Sequence, residues 1–168
     1  MGRDKGSIIV HQGLPQREYL FQELAAVCSA VYTSCRPDQA LPSSLQPIAD
    51  AFGIGSPLNG ILSAFKRFPD TAWLVVAVDM PNINREIFRL LAGHRDPARM
   101  ATCFCNDETK LPEPLLTIWE PVAYPSLLDF VRAGHKSPRD FLSANDVKMV
   151  HTADKSIFHN MNTPDDVL

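Results

Sequence analysis

The stretch of residues 73–87, WLVVAVDMPNINREI, is the most informative about the fold. Its first six residues are apolar without interruption, and Asp79, a Met-Pro pair and two asparagines follow. Such a run predicts a central strand of a mostly parallel sheet, covered on both faces. Ligands of open parallel sheets bind beyond the carboxyl ends of these strands, so Asp79 is predicted to be functional. A turn or capping role for Asp79, Asn82 or Asn84 is the second interpretation.

Helix and strand patterns alternate on both sides of this stretch. Residues 56–68, SPLNGILSAFKRF, combine a Ser-Pro start with an apolar stripe at helical spacing, and residues 137–145 begin with Ser-Pro again. This alternation predicts an α/β protein, a three-layer α/β/α sandwich around a mostly parallel, Rossmann-like sheet. At 168 residues without repeats or composition shifts, we expect a single domain over residues 1–168.

Composition and charge exclude several classes of function. The net charge of −3 and pI near 5.9 give no broad cationic field for nucleic acid or anionic lipid. No apolar run approaches the ~20 residues that span a bilayer, and residues 1–13 lack a signal-peptide pattern. We therefore expect a cytoplasmic protein with no nucleic-acid or membrane partner. The four cysteines lack the spacing of a zinc site, so we expect them to be reduced thiols. The five histidines are scattered along the sequence, and we expect them to be surface residues.

Five segments together resemble the molybdenum cofactor guanylyltransferases, the MobA-like family of nucleotidyltransferases. They occur in the family's order and extend over essentially the whole chain: MGRDK (1–5), SPLNGILSAF (56–65), VVAVDMPNI (75–83), RAGHKSPRDFL (132–142) and FHNMNTPDDVL (158–168). The resemblance implies the nucleotidyltransferase type of α/β fold. The sequence begins inside the family's nucleotide-binding signature, so we expect the glycine-rich loop and first strand of that signature to be missing upstream of residue 1.

The resemblance implies two catalytic residues, Lys5 and Asp79. Lys5 matches the signature lysine that contacts nucleotide phosphates, where an ammonium offsets developing charge. Arg3 is expected to assist it, although a solvated role for this arginine is the alternative. Asp79 is implied as the ligand of Mg²⁺, which acts on phosphoryl groups as a Lewis acid and template. No covalent nucleophile is then required.

Four further residues match positions implicated in nucleotide binding. Asp50 aligns with an acid that reads guanine, and a carboxylate can accept from both the ring N–H and the exocyclic amine of that base. Arg36 aligns near a basic position of the family, and Asn59 and Gly60 are expected to admit the base or ribose. Asp50 as a loop or cap residue and Gly60 as a packing residue are the open alternatives.

The second substrate is implied by residues near the end of the chain. Asn160 and Asn162 resemble paired asparagines implicated in pterin recognition, and their spacing puts both amides on one face of an extended segment. A cap of the last helix is the alternative for this segment. Lys136 and Arg139 are expected to contact the molybdopterin phosphate, with a solvated helix start as the alternative.

These matches imply Mg²⁺-dependent transfer of GMP from GTP to molybdopterin cofactor, with release of pyrophosphate. GTP and molybdopterin cofactor are the expected substrates, and transient contacts with proteins that donate or accept the molybdenum cofactor are expected. The first alternative is a cytidylyltransferase or another small-molecule nucleotidyltransferase, because a few pocket contacts decide base and acceptor. The second is a non-catalytic module that binds and delivers molybdopterin.

Overall fold

The computed structural model of the protein describes residues 4–11 and 13–161. Arg3 and Asn162 therefore lie outside the described residues. The strands are β1 (Ile9–His11), β2 (Leu14–Pro15), β3 (Thr33–Cys35), β4 (Pro47–Ala49), β5 (Trp73–Val76), β6 (Ala101–Asn106), β7 (Leu111–Trp119) and β8 (Val147–Val150). The helices are α1 (Gln16–Ala25), α2 (Leu58–Arg67), α3 (Arg85–Gly93), α4 (Ala123–Arg132) and α5 (Pro138–Ala144).

The largest sheet has four strands in the order β5–β7–β6–β8. Strand β7 is antiparallel to both of its neighbours, whereas β6 and β8 pair in parallel. Three strands consequently run in one direction and β7 alone is reversed. The predicted α/β class is confirmed, with a mixed rather than uniformly parallel sheet.

A short turn explains the reversal of β7. Only residues 107–110 separate β6 from β7, and a connection of this length joins antiparallel strands, whereas a parallel pair needs a long crossover. The side-chain oxygen of Asn106 accepts from the backbone N–H groups of Glu108 and Thr109 at 3.0 and 3.3 Å. Lys110 closes the turn with a φ of 59°. This hairpin places β7 between β5 and β6.

Helices cover both faces of this sheet and form two apolar cores. On one face, α1 and α3 contribute side chains such as Leu20 and Phe88, which pack with Phe104 of β6. On the other face, α2, α4 and α5 pack around Trp119. The predicted three-layer sandwich is therefore confirmed. Within the described residues, no helix combines the length and apolar character needed to cross a membrane.

Strand β5 lies at an edge of the four-stranded sheet, which corrects the expectation of a central strand. Among the described strands it pairs with β7 alone, and residues 72–79 are half-buried rather than fully buried. It is also shorter than predicted, because it ends at Val76 and Asp79 lies in the turn that follows. Strands β3 and β4 form a separate parallel pair, and a groove lies between β3 and β5.

Candidate active site

The turn that carries Asp79 is held through its backbone carbonyl groups by distant parts of the chain. The buried side chain of Gln16, at the start of α1, donates to the carbonyl oxygen of Met80 at 3.1 Å. The backbone N–H of Met161 donates to the carbonyl oxygen of Asp79 at 2.8 Å. Because these hydrogen bonds are accepted by main-chain carbonyl oxygens, they fix the position of the turn and leave the carboxylate of Asp79 available for other contacts.

Helix capping in this loop is done by Asn84. Its side-chain oxygen accepts from two backbone N–H groups in the first turn of α3, at 3.0 and 3.2 Å. Asn82 instead donates to the carbonyl oxygen of Ser156 at 3.0 Å. The capping interpretation is thus confirmed for Asn84, whereas Asp79 directs its carboxylate elsewhere.

Asp79 forms an ion pair with Lys5, a residue 74 positions away in the sequence. The ammonium of Lys5 donates to Oδ2 of Asp79 at 2.8 Å, and the two side chains are 27 and 24% exposed. The fold therefore brings the two predicted catalytic residues into contact. A partly exposed carboxylate of this kind fits Mg²⁺, which protein sites hold through one or two carboxylates together with waters and substrate phosphates.

Glu113 is a second carboxyl group close to Asp79. Its side chain is 13% exposed and lies 3.5 Å from the guanidinium of Arg139. Burial raises the pKa of Glu113, and the negative charge of Asp79 raises it further, against a hydrogen bond from the backbone N–H of Leu115 and the charge of Arg139. Sequence patterns did not indicate this residue, which lies between two prolines where the β6–β7 register shifts.

The raised pKa of Glu113 predicts a pH-dependent effect of Glu113→Gln on stability. The carboxyl group of Glu113 keeps its proton to a higher pH in the native state than in the unfolded state, whose pKa is the ordinary 4.5. As the pH rises above 4.5, the free energy of unfolding of the parent protein therefore decreases, and it stops decreasing once the pH has passed the folded-state pKa. The glutamine retains an oxygen for Leu115 and has no charge to bury. We expect the variant to gain stability relative to the parent across this window. Urea unfolding between about pH 4 and 8 measures the difference, and a difference independent of pH contradicts the prediction.

One groove of about 730 Å³ gathers four of the residues predicted to bind nucleotide. Lys5, Arg36, Asp50 and Gly60 all line it. The volume lies within the range of small-molecule sites, roughly 300–1,000 Å³. These residues come from four separate segments of the sequence, and the fold brings them together in one groove. The groove therefore has both the volume and the charged groups that a nucleotide requires.

Asp50 and Gly60 meet at Ser34, in strand β3. The hydroxyl of Ser34 donates to Oδ1 of Asp50 at 3.4 Å. Burial raises the pKa of Asp50, against this hydrogen bond and the charge of Arg36. A Cβ atom on Gly60 would stand 2.5 Å from the Ser34 hydroxyl oxygen and 3.8 Å from Asp50 Oδ1. Glycine thus permits the close packing of α2 on β3, which keeps the space beside Asp50 open.

Asn59 supports the wall of the groove. Its buried side chain accepts from the backbone N–H of Phe52 at 3.1 Å and donates to the carbonyl oxygen of Ile54 at 3.2 Å. Both functions of the amide are therefore used in holding the loop before α2. This arrangement accounts for an asparagine at the helix start without a direct contact to nucleotide.

The MobA-like NTP transferase domain family matches residues 1–150 of the chain. The chain belongs to this family. A molybdenum cofactor biosynthesis bifunctional protein of Synechocystis is 29% identical over 99% of the chain, which spans 48% of that protein. A molybdenum cofactor guanylyltransferase of Serratia proteamaculans is 27% identical, over 99% of the chain and 85% of that protein. The chain thus spans about half the length of the first relative and most of the second.

A solved structure shows the same fold. The crystal structure of molybdopterin-guanine dinucleotide biosynthesis protein A from Archaeoglobus fulgidus superposes with a TM-score of 0.78 at 23% identity. The match covers 99% of this chain and 88% of that one. The three-layer arrangement described above is therefore the fold of this MobA-like neighbour.

Two of the residues predicted for the second substrate, Asn160 and Arg139, are connected to the surroundings of Asp79 through neighbouring residues. Asn160 is exposed and directly precedes Met161, whose backbone bonds to that turn. Arg139, near the start of α5, donates to the carbonyl oxygen of Pro112 at 3.2 Å and contacts Glu113. Lys136 is exposed in the loop before α5. Asn160 and Arg139 therefore adjoin the acidic part of the site, while Asn162 lies outside the described residues.

Sequence motifs missed a third basic residue that lines the groove, beside Lys5 and Arg36. Arg17, in the first turn of α1, lines the groove and donates to both carboxylate oxygens of Asp4 at 2.7 Å. The Asp4 side chain also accepts from the backbone N–H of Gly6, so the pair braces the segment that carries Lys5. No local pattern connects residues 4 and 17, and this contact exists only in the fold.

Within residues 4–11 and 13–161, three side chains away from the groove are of types that could bind a metal ion. Cys105, Asp107 and His151 offer ligand atoms within 4.8 Å of one another. His151 Nδ1 lies 2.8 Å from Asp107, and this contact lowers the pKa of the aspartate. The pairing of the imidazole with the carboxylate accounts for their proximity without an ion.

Proposed function

We propose that the protein transfers GMP from GTP to the terminal phosphate of molybdopterin cofactor and releases pyrophosphate. The observation that carries this proposal is the Lys5–Asp79 ion pair, 2.8 Å long, beside a groove that also contains Asp50. Membership of the MobA-like NTP transferase domain family supports nucleotidyl transfer as the class of reaction. The name of the Serratia relative supports guanylyl transfer as the specific one.

Two residues act on the phosphates in this proposal. A phosphate oxygen of the acceptor attacks the α-phosphorus of GTP, the bond to the β-phosphate oxygen breaks, and pyrophosphate leaves. Asp79 would hold Mg²⁺ beside the nucleotide, and the bound ion would supply Lewis-acid stabilisation of the charge on the phosphoryl oxygens. Lys5 leaves its ion pair with Asp79 and donates to the same phosphates, with Arg3 as a further proposed contact. Positioning and charge neutralisation then account for catalysis.

Asp50 is the proposed reader of the base. Asp50 is half-buried in the groove, and its carboxylate accepts a hydrogen bond from the hydroxyl of Ser34. An ionised carboxylate accepts from the N1–H and the exocyclic amine of guanine, and cytosine lacks this pair of donors. Gly60 leaves room beside it, and Arg36 lies on the rim, where its side chain pairs with Asp38 at 3.3 Å.

The acceptor is proposed to bind on the side of Asp79 that faces Asn160. The exposed amide of Asn160, together with that of Asn162, offers donors and acceptors that match a pterin edge. Arg139 and Lys136 supply positive charge for the acceptor phosphate. In this proposal the nucleotide and the acceptor phosphate meet at Asp79.

A product assay distinguishes this enzyme from a binding module. The protein is incubated with GTP, Mg²⁺ and molybdopterin cofactor, and pyrophosphate and the dinucleotide product are measured. We expect both to form in equal amounts and to depend on Mg²⁺. Calorimetric binding of molybdopterin without heat from GTP plus Mg²⁺ contradicts the enzyme and supports the delivery module, and faster turnover of CTP supports the cytidylyltransferase.

Asp50→Asn is expected to relax the choice of base. The amide replaces one acceptor by a donor that faces the donors of guanine, so the preference for GTP over CTP should fall by about 10- to 100-fold. Ratios of kcat/KM for the two nucleotides measure the effect. Asp70→Asn, at an exposed position before β5, is the matched control and should leave the ratio unchanged. An unchanged ratio in the Asp50 variant contradicts the assignment.

A further inference from the structure

We propose that His11 and Gln16 are positioning residues for Asp79, which they hold in place through the backbone of its turn. Each of the two side chains donates an N–H to a carbonyl oxygen of that turn. The inference rests on the proposed reaction, because it is there that Asp79 is the metal ligand. It adds to that reaction two residues that no sequence motif indicated.

The two carbonyl groups that follow Asp79 in its turn are held by side chains from near the start of the chain. Nε2 of Gln16 donates to the carbonyl oxygen of Met80 at 3.1 Å. Nε2 of His11 lies 2.6 Å from the carbonyl oxygen of Pro81. Both contacts connect segments more than 60 residues apart in the sequence. One short stretch, residues 11–16, therefore fixes the turn at two adjacent points.

The β1–β2 hairpin brings these two donors together. Strands β1 and β2 pair antiparallel, with His11 opposite Leu14. Gly13 connects them with a φ of 77°, a left-handed backbone conformation that glycine adopts without strain. Gln16 follows β2 directly, and its backbone N–H donates to the carbonyl oxygen of Ile8 at 2.8 Å. The hairpin thus places two side-chain donors beside neighbouring residues of the turn.

The ring of His11 is positioned by packing as well as by its hydrogen bond. Its centroid lies 4.2 Å from that of the Tyr19 ring, and the residue is half-buried. A carbonyl oxygen can only accept a hydrogen bond, so Nε2 of His11 carries a proton. That N–H exists both in the neutral ring and in the imidazolium. The contact with Pro81 is therefore available in either charge state.

Gln16 holds its carbonyl group at a cost to stability. It is fully buried, and among the described residues no hydrogen-bond donor reaches its Oε1. A buried polar atom without a partner destabilises the folded state. Methionine, of similar length and without this oxygen, would avoid that cost. A glutamine at this position is therefore explained by the hydrogen bond from its Nε2 to Met80.

These two contacts matter most when Lys5 leaves Asp79. In the proposed reaction Lys5 turns to the nucleotide phosphates, so the ion pair no longer fixes the turn. The bonds from His11 and Gln16 go to carbonyl oxygens and are retained at this stage. A shift of about 1 Å in a reacting group can lower turnover about 100-fold. Loss of either contact should consequently lower kcat, whereas KM for GTP should change little because the groove residues are untouched.

Substitutions of His11 test the role of its donor. His11→Phe keeps an aromatic ring beside Tyr19 but removes the N–H, and we expect kcat for pyrophosphate release to fall about 10-fold or more. KM for GTP should change by less than about 2-fold. His11→Gln restores an N–H donor and should recover most of the lost kcat. His94→Phe is the matched control, because His94 Nδ1 also contacts a carbonyl oxygen, that of Leu90 at 2.9 Å, at an exposed position.

Gln16→Met separates positioning from a contribution to stability. We expect kcat to fall while the unfolding midpoint stays nearly unchanged, because removal of the unpartnered oxygen offsets the loss of the donor to Met80. A residue that serves stability alone would instead lose kcat and stability together. Unfolding in urea and steady-state kinetics on the same preparation give the comparison.

Amide hydrogen exchange at Met161 provides a measurement that does not depend on activity. The N–H of Met161 donates to the carbonyl oxygen of Asp79 at 2.8 Å, so a loosened turn exposes it. We expect exchange about 10-fold faster or more in His11→Phe, and the parent rate in His94→Phe. Unchanged exchange in His11→Phe, or unchanged kcat in both His11→Phe and Gln16→Met, overturns the inference. A parent protein that forms no pyrophosphate contradicts the proposed reaction instead, and the exchange rates then decide whether His11 holds the turn.

Discussion

Asp79→Asn is expected to abolish pyrophosphate release from GTP while leaving the fold intact. The amide keeps the shape of the side chain but loses the negative charge that pairs with Lys5 at 2.8 Å and that is proposed to bind Mg²⁺. The backbone bonds from Gln16 and Met161 that hold the turn are retained. Loss of one group that stabilises transition-state charge lowers turnover by about 10²–10³-fold. Steady-state pyrophosphate assays at saturating Mg²⁺ measure the effect.

Asp107→Asn is the matched control for this substitution. Asp107 also pairs with a basic side chain, His151 at 2.8 Å, but neither of these residues lines the groove, whereas Lys5, the partner of Asp79, does. We expect the control to retain turnover within about 2-fold, since exposed ion pairs contribute little. Circular dichroism and the unfolding midpoint establish that both variants are folded. Normal turnover by a folded Asp79→Asn protein contradicts the assignment of the metal ligand.

Arg95→Met is expected to be the most destabilising single substitution among the ion pairs described. Arg95 donates from Nε and Nη2 to the two carboxylate oxygens of Glu120, at 2.6 and 2.8 Å. The Glu120 side chain is 1% exposed, so removing the arginine leaves a buried charge without its partner. This type of loss costs about 3 kcal/mol. We expect the unfolding temperature to fall by about 6–12 °C.

Arg132→Met is the control for the loss of an arginine ion pair. Arg132 lies 3.0 Å from Asp129, and these side chains are 74 and 75% exposed. Its loss should cost less than about 1 kcal/mol. Urea unfolding of both variants gives the comparison, and adding Glu120→Gln to Arg95→Met should restore part of the lost stability. Equal effects of the two arginine substitutions contradict the account of a buried carboxylate.

Local signals in the sequence predicted the class of fold and several boundaries. Ser137 accepts from the backbone N–H of Asp140 at the start of α5, as the Ser-Pro pattern indicates. The position of β7 was not predictable from such signals, because residues 107–110, DETK, contain none of the glycines or prolines that mark hairpins. The edge position of β5 was missed for a different reason. Its continuous apolar run indicates two neighbours, and only one is among the described strands.

The candidate site was predicted in part, because its residues come from segments far apart in sequence. The resemblance identified Lys5 and Asp79 as catalytic candidates, and in the fold their side chains form an ion pair. It gave no sign of Glu113 or Arg17, which reach the site through a strand irregularity and the first turn of a helix. The motif also gave no sign that the amide of Asn59 holds the loop before α2. Side-chain partners of this kind depend on tertiary contacts and cannot be read from spacing.

A crystal structure of the protein with GTP and Mn²⁺ as a substitute for Mg²⁺ tests the central claim most directly. The anomalous signal of manganese locates the ion independently of the surrounding density. The account predicts one peak within coordination distance of both an Asp79 carboxylate oxygen and a phosphate oxygen of GTP, with Lys5 turned from Asp79 to the phosphates. A peak bound elsewhere, with the Lys5–Asp79 ion pair unchanged beside bound GTP, would contradict it.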